Sequence, residues 1–181
     1  MDRRSRLGGR AGRGTDLTLS RPNASDLCVA VIGSGTSDPT TDELAETIGG
    51  LLARAGATLV CGGLGGVMAA ACRGAAEAGG LTVGILPGSD RHAANRWVRV
   101  VLPTGLGELR NGLVVRSAHS LIAIGGEYGT LSEIALALKA GRPVVGLGTW
   151  ELGRPGGTRD DGIVVASDPA DAVARALELA R

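Results

Sequence analysis

The chain has 181 residues, with 19 Lys or Arg against 18 Asp or Glu, and 44% of its residues are hydrophobic. This length suits one domain with a sizeable core, and the balanced charge gives no sign of a nucleic-acid or acidic partner. The chain lacks Phe, and its aromatic residues are Trp97, Tyr128 and Trp150, so we expect an aliphatic core. The 31 glycines far exceed the usual proportion of about 7%.

The cysteines indicate a reduced compartment. Cys28, Cys61 and Cys72 are odd in number and lack a C-x-x-C spacing, which argues against a disulfide framework or a zinc site. No apolar run approaches the roughly 18 residues of a membrane span, and no secretory signal precedes the first strand. We therefore expect a cytoplasmic protein without membrane contact, and predict neither a metal nor a cofactor.

Residues 1–25 contain arginines spaced by glycine and serine. Nothing in this segment can form a core, so it is predicted to be a disordered tail preceding a domain at residues 26–181. A solvated extension is the favoured interpretation. An arm that touches nucleic acid is the weaker alternative.

Strands and helices alternate from residue 27 onward. The apolar runs predicted as strands are residues 27–32, 57–61, 81–86, 98–102, 121–124, 144–147 and 163–166. The segments predicted as helices are residues 39–55, 67–78, 106–114 and 131–140 and a final helix starting at Pro169. Thr40 and Glu43 have the spacing of a capping box, and residues 88–96 and 148–161 are predicted loops. Alternation with continuous apolar strands predicts a single-domain Rossmann-like α/β fold, a doubly wound parallel sheet with helices on both faces.

Glycine turns follow three of the predicted strands, at residues 33–35, 62–66 and 125–129. Ligands in open α/β folds bind at the carboxyl ends of the strands. The last turn joins a buried strand directly to a helix, an arrangement that can hold a phosphate on backbone N–H groups. The competing interpretation is purely structural, because Thr130 and Glu133 are spaced as a capping box.

Three better-known cofactor patterns fit poorly. The turn at residues 33–38 lacks the last glycine of the dinucleotide fingerprint, and no P-loop lysine is present. A pyridoxal phosphate enzyme needs a Schiff-base lysine. Lys139, the only lysine, lies more than a turn and a half along its helix from the glycine turn, so we interpret it as a surface residue.

Taken together, these segments resemble the LOG-like (LONELY GUY) Rossmann family. Residues 125–133 occupy the position of its P-G-G-x-G-T-x-x-E motif, and Arg110 and Asn111 stand where an arginine and a following lysine precede that motif. Residues 61–68 and 79–87 are similar to two further family segments. The resemblance covers residues 27 to about 147. The closer match is a subgroup that is similar to molybdenum cofactor carrier proteins and often mislabelled as lysine decarboxylases.

The resemblance implies a site for a nucleotide or a phosphorylated nucleotide-derived ligand. LOG enzymes hydrolyse the N-glycosidic bond of nucleoside 5′-monophosphates. By position, Gly126, Gly129 and Thr130 would hold the phosphate, and Arg110 and Glu133 would act at the ribose. The further ligand-binding residues implied are Gly33, Ser34, Gly62, Gly63, Met68, Asn111 and Gly125. The alternative is a non-enzymatic carrier or sensor of molybdenum cofactor or a related phosphate ligand. A homo-oligomer is also implied.

Three positions depart from the family pattern. Gly125 replaces the proline of the motif, Glu127 replaces its second glycine, and His119 replaces a common acid. A carboxylate at position 127 should weaken anion binding unless its side chain turns outward. For His119, a structural role at the junction between helix and strand is favoured over a role in binding a ligand.

Overall fold

The computed structural model describes residues 27–181, so the predicted tail at residues 1–25 lies outside the described residues. The strands are β1 (Cys28–Gly33), β2 (Thr58–Cys61), β3 (Thr82–Leu86), β4 (Val100–Pro103), β5 (Ser120–Ile124), β6 (Val144–Leu147), β7 (Leu152–Gly153), β8 (Arg159–Asp160) and β9 (Ile163–Val165). The α-helices are α1 (Pro39–Arg54), α2 (Val67–Glu77), α3 (Asn111–Arg116), α4 (Tyr128–Lys139) and α5 (Pro169–Leu179). Two 3₁₀ turns cover Arg91–Ala93 and Gly107–Arg110.

Seven strands form one parallel sheet in the order β4-β3-β2-β1-β5-β6-β9. The chain builds outward from β1 to β4, then returns to place β5 against the other side of β1. The loops that leave β1 and β5 therefore diverge, and their strand ends pair in register at Gly33 and Ile124. Such a topological switch point is where open α/β sheets bind ligands.

Helices cover both faces of the sheet, as predicted. Side chains of α1, α2 and α5 pack with Val29, Val31 and Ile122 on one face. Those of α3 and α4 pack with Ala30, Ile32 and other residues of the opposite face. Both clusters are aliphatic, and β1 and β5 contribute to both, which explains why their sequences are apolar without alternation.

The start of α1 differs from the sequence prediction. Asp38, not Thr40, is the N-cap, and its side chain accepts hydrogen bonds from the backbone N–H groups of Thr40 and Thr41. Pro39 occupies the first helical position, where its missing N–H costs nothing. The proposed capping box of Thr40 and Glu43 is therefore wrong, because the helix begins earlier than Thr40.

The helix α4 also begins earlier than predicted, at Tyr128 rather than at residue 131. Thr130 thus lies inside the first turn and Glu127 is the N-cap residue, so Thr130 and Glu133 do not form a capping box. Glu133 is 7% exposed within the helix. Its burial needs an explanation other than capping.

The remaining differences are local. The predicted loop at residues 148–161 contains an antiparallel pair of short strands, β7 and β8. The predicted helix at residues 106–114 is a 3₁₀ turn followed by α3. His119 has a structural contact, since its Nδ1 accepts a hydrogen bond from the backbone N–H of Cys28. No helix within residues 27–181 is long and apolar enough to cross a membrane.

Two helices on the same face approach closely through glycine. Gly49 of α1 lies against the backbone carbonyl of Ala71, and Gly74 of α2 lies against that of Glu46. A side chain at either position would collide with the backbone of the other helix. This crossing fixes how α1 and α2 sit over β1 and β2.

Candidate functional site

A cavity of about 160 Å³ lies at the switch point, between the loops that follow β1 and β5. We call it the switch-point cleft. Its lining residues are Gly33, Ser34, Gly35, Met68, Arg110, Asn111, Glu127, Gly129, Thr130 and Glu133. They come from four separate segments of the chain, at residues 33–35, 68, 110–111 and 127–133, which the parallel topology brings to one edge of the sheet.

Arg110 and Glu133 form a buried pair of opposite charges at the cleft. Arg110 ends the 3₁₀ turn before α3, and Glu133 lies on α4; each is 7% exposed. Arg110 Nη1 lies 3.9 Å from Glu133 Oε1, too far for a hydrogen bond. Arg110 Nε is buried and has no hydrogen-bond partner among residues 27–181. A buried guanidinium with an unpaired N–H group is suited to an anionic or carbonyl ligand.

Burial changes the acidity of both groups. Desolvation raises the pKa of Glu133 to about 7, although the nearby positive charge of Arg110 opposes the shift. Desolvation also lowers the pKa of Arg110, against the attraction of Glu133. A carboxyl group that titrates near neutral pH can both accept and donate a proton, as general acid–base chemistry requires.

Gly62 provides the space that Arg110 occupies. A Cβ atom at Gly62 would collide with Arg110 Nη1 and would lie 2.7 Å from Met68 Sδ. The backbone at the end of β2 therefore supports the guanidinium directly. Gly62 acts on the site through Arg110, and it does not line the cleft itself.

Glu127 faces the cleft and does not turn outward. Its Oε1 accepts a hydrogen bond of 3.0 Å from Ser34 Oγ, and Ser34 Oγ in turn accepts one from the backbone N–H of Thr36. The bond links the loop after β1 to the loop after β5 across the mouth of the cleft. A negative charge therefore lies beside the backbone that the sequence predicts to hold a phosphate.

The N-terminus of α4 points its backbone donors toward the cleft region. No side chain of residues 27–181 caps the helix. The N–H groups of its first turn, at Tyr128, Gly129 and Thr130, have no intrahelical acceptor. The helix dipole adds partial positive charge there. Asn111 Nδ2 donates to Ser132 Oγ at 2.9 Å and ties α3 to α4 beside this turn.

Eight of the predicted site residues line the switch-point cleft: Gly33, Ser34, Met68, Arg110, Asn111, Gly129, Thr130 and Glu133. Gly125 and Gly126 instead line an adjoining cavity with Trp150. Gly63 has a structural environment, since a Cβ there would lie 2.8 Å from the Leu86 side chain and its carbonyl accepts from Asn95.

Sequence reasoning did not include Gly35, Glu127, Tyr128 or Trp150 among the ligand-contacting residues. Gly35 and Glu127 line the cleft, and Tyr128 packs against Trp150 beside it. The rarity of aromatic residues in this chain was the available signal for the last two. Only the fold reveals that a residue of the 148–161 loop reaches α4.

Another cavity, of about 420 Å³, lies between α1 and α2 and is larger than the cleft. It is lined by carboxylates, among them Glu43, Glu46 and Glu77, together with Arg54. It includes no strand end and no glycine turn. We therefore place the candidate site at the smaller switch-point cleft, where the buried charge pair and the free helix terminus meet.

A family model described as LDcluster4, SLOG cluster4 family, matches residues 26–173. An uncharacterized protein of Archaeoglobus fulgidus is 44% identical over 119 residues, which cover 66% of this chain and 78% of that protein.

Solved structures are similar over most of the chain. The molybdenum cofactor binding protein from the phototrophic bacterium Rippkaea orientalis aligns with a TM-score of 0.74 and 34% identity, over 87% of this chain and 96% of that one. The molybdenum cofactor carrier protein of Chlamydomonas reinhardtii aligns with a TM-score of 0.73 and 34% identity, over 84% and 98% of the two chains.

Proposed function

Because the chain belongs to the SLOG cluster4 family of the LOG-like superfamily, we propose that it binds a nucleotide or a phosphorylated nucleotide-derived ligand in the switch-point cleft. The observation that carries the proposal is the buried Arg110, whose Nε has no partner among residues 27–181. Leaving a buried charged donor unsatisfied costs free energy. A ligand oxygen that accepts from Arg110 would recover that cost.

The phosphate of such a ligand would lie at the start of α4. The N–H groups of Gly129 and Thr130 are without an intrahelical acceptor in the uncapped first turn, and helix N-termini bind anions. The sugar or its equivalent would then lie over Arg110 and Glu133, deeper in the same cleft. This division of the cleft agrees with the roles that the LOG-like motif implies for Gly129, Thr130, Arg110 and Glu133, whereas Gly126 lies in the adjoining cavity.

The first experiment measures ribose 5-phosphate and AMP binding by isothermal titration calorimetry. We expect saturable binding that weakens at least about tenfold in Arg110→Ala, because charge-assisted hydrogen bonds contribute roughly 1.5–3 kcal/mol. Arg116→Ala, on the exposed side of α3, is the matched control and should bind as the wild type does. Thermal unfolding of each variant establishes that it is folded, and Arg110→Lys provides a second variant that keeps the charge. Absence of binding by the wild type would contradict the proposal.

Hydrolysis is a second candidate, favoured by the raised pKa of Glu133, about 7. Water would add to the anomeric carbon as the N-glycosidic bond breaks, releasing the free base and ribose 5-phosphate. The Glu133 carboxylate would stabilise the developing positive charge and accept the proton of the attacking water, and that proton would then pass to the departing base. Arg110 would hold the ligand against it.

The competing possibility is a carrier that binds without turnover. The similar proteins from Rippkaea orientalis and Chlamydomonas reinhardtii are described as binding or carrying molybdenum cofactor. The negative charge of Glu127 at the mouth of the cleft distinguishes this site from the glycine-rich motif of the hydrolases. For a carrier, molybdenum cofactor would be the cargo.

One experiment separates these candidates. Purified protein is incubated with AMP and cytokinin monophosphates, and free base is measured by chromatography. Base released by the wild type and not by Glu133→Gln supports the enzyme. Saturable binding without turnover, together with molybdenum and pterin found by mass spectrometry after expression in a cofactor-producing host, supports the carrier.

We also propose that the chain forms a homo-oligomer through α3 and α4. Leu109 and Leu113, one helical turn apart, are 82% and 40% exposed. Leu136 on the neighbouring α4 is 40% exposed. Exposed apolar side chains on neighbouring elements are typical of association surfaces.

A further inference from the structure

Two of the three aromatic residues of the chain meet beside the switch-point cleft. Tyr128 begins α4 and is 80% exposed. Trp150 follows β6, and the two ring centroids lie 5.8 Å apart at an interplanar angle of 36°. The core contains no Phe and needs no contribution from so exposed a tyrosine. An aromatic ring held at the edge of a site is suited to contact with another flat ring.

A further cavity, of about 330 Å³ and separate from the one lined by Gly125 and Gly126, adjoins the cleft on the Tyr128 side. We call it the side cavity. Tyr128, Pro87 and Glu108 line it. Arg110, Asn111 and Gly129 line both the side cavity and the cleft, so a single ligand can extend from one into the other.

The chemistry of the side cavity matches one class of heterocycle. Tyr128 offers an aromatic face, and Pro87 offers a rigid apolar surface. Glu108 is exposed and, when ionised, only accepts hydrogen bonds, through two oxygens. Adjacent N–H and NH₂ groups of a planar ring satisfy both oxygens at once. The 2-amino-4-oxopyrimidine ring of guanine or a pterin has that pair of donors, whereas adenine places a ring acceptor next to its amino group.

We propose that the side cavity is a base subsite for a 2-amino-4-oxopyrimidine ring, which stacks on Tyr128 and donates its paired N–H groups to Glu108. The proposal rests on the proposed function, since the phosphate and sugar of the same ligand lie in the switch-point cleft. Trp150 packs against the Tyr128 ring, with the two ring centroids 5.8 Å apart. Glu108 and Tyr128 are thereby specificity-determining residues, and neither takes part in bond breaking.

The test measures equilibrium binding of GMP, IMP, AMP, neopterin monophosphate and ribose 5-phosphate. IMP lacks only the 2-amino group of GMP, and ribose 5-phosphate lacks the base. We expect GMP or the pterin to bind at least about tenfold tighter than IMP and AMP, because a site built for hydrogen bonding rejects an analogue that leaves its groups unpaired. Comparing the affinities of GMP and neopterin monophosphate shows whether the ring belongs to a guanine nucleotide or to a pterin.

Variants then assign the roles. Glu108→Gln should remove the preference for GMP or the pterin over IMP, while Glu178→Gln, an exposed control on α5, should keep it. Tyr128→Ala should weaken every ligand that carries a ring by about tenfold, since stacking on an aromatic side chain contributes roughly 1–3 kcal/mol per base. Tyr128→Phe should restore the binding. The Tyr128 variants and Glu178→Gln should leave the affinity for ribose 5-phosphate unchanged.

The outcomes distinguish the base subsite from the proposed phosphate binding in the switch-point cleft. Equal binding of GMP, the pterin, IMP and AMP, unaffected by Glu108→Gln and Tyr128→Ala, overturns the base subsite and leaves phosphate binding in the cleft standing. If ribose 5-phosphate and all the ring-bearing phosphates fail to bind, the cleft itself is not a phosphate site and both proposals are wrong.

Discussion

At the scale of single residues, the site combines charges that oppose one another. Glu127 reaches across the mouth of the cleft to Ser34, while the buried Arg110 lies 3.9 Å from Glu133. An incoming phosphate meets one positive and two potentially negative groups. The protonation of Glu133 and the charge of Glu127 therefore control how well the cleft accepts an anion.

Replacing Glu127 with glutamine should strengthen binding of ribose 5-phosphate. The amide can still accept from Ser34 Oγ, so the change removes a charge and keeps the hydrogen bond. We expect the affinity to rise about five- to tenfold at low ionic strength and less at 0.5 M salt, because salt screens exposed charges. Glu151→Gln, an exposed carboxylate outside the cleft, is the control. An affinity that falls, or that rises equally in the control, would contradict the role of Glu127.

The raised pKa of Glu133 should appear in the pH dependence of stability. Its pKa is about 7 in the folded protein against an ordinary value of 4.5. The carboxyl group therefore stays protonated to a higher pH in the folded state than in the unfolded state. The free energy of unfolding should therefore fall as pH rises from 4.5 to 7 and then level off. The loss due to this group is on the order of 2–3 kcal/mol.

Urea denaturation of the wild type and Glu133→Gln across this range isolates the contribution. The glutamine variant cannot ionise, so the difference between the two proteins should grow from pH 4.5 to pH 7 in favour of the variant. Glu178→Gln should run parallel to the wild type. A constant difference between wild type and Glu133→Gln would show that Glu133 has an ordinary pKa.

At the scale of elements, the first turn of α4 was the most difficult to predict. The spacing of Thr130 and Glu133 fits a capping box, and local sequence cannot separate that pattern from a buried acidic residue. In the fold, α4 begins three residues earlier than predicted, because residues 125–127 alone complete the turn with positive φ at Gly125 and Gly126. Glu133 then points toward Arg110 instead of the helix N-terminus.

Replacing a glycine at the contact between α1 and α2 should destabilise the protein, whereas replacing a glycine in α3 should stabilise it. Gly74→Ala places a Cβ against the backbone of Glu46, and overpacking of this kind typically costs about 1–3 kcal/mol. The Cβ added by Gly112→Ala in α3 has no atom of the described residues, 27–181, within 4 Å, so this change should stabilise the protein by about 0.5–1 kcal/mol through helix propensity. Chemical denaturation measures both. Equal effects of the two substitutions would show that the helices are not in close contact.

At the scale of the whole molecule, the fold class was predictable and the shape of the site was not. Alternating apolar and helical segments predicted a Rossmann-like sheet, and the structure confirms it. The three glycine turns correctly marked strand ends. Their separate roles depend on strand order, however. The turn at residues 62–66 supports Arg110 through Gly62, whereas the turns after β1 and β5 flank the switch point.

The oligomer expected from the family resemblance is tested by sedimentation at micromolar concentration. We expect a dimer or larger species for the wild type and a monomer for Leu113→Asp, because a charge in an apolar interface is costly to bury. Leu179→Asp is matched in exposure, at 42% against 40%, but lies on α5. It should assemble normally. A monomeric wild type, or equal disruption by both variants, would contradict the assignment of α3 and α4.

Because aromatic residues are scarce, the intrinsic tryptophan fluorescence of the protein can be assigned to individual sites. Trp97 packs against the core on the α1 face of the sheet, where Arg96 lies 4.8 Å from its ring centroid. Trp150 packs on the opposite face and contacts Tyr128 beside the cleft. A Trp97→Phe protein would therefore emit from one indole next to the site, excited in part by energy transfer from the single tyrosine. Occupancy of the cleft and unfolding of the domain would then be followed by fluorescence without any attached label.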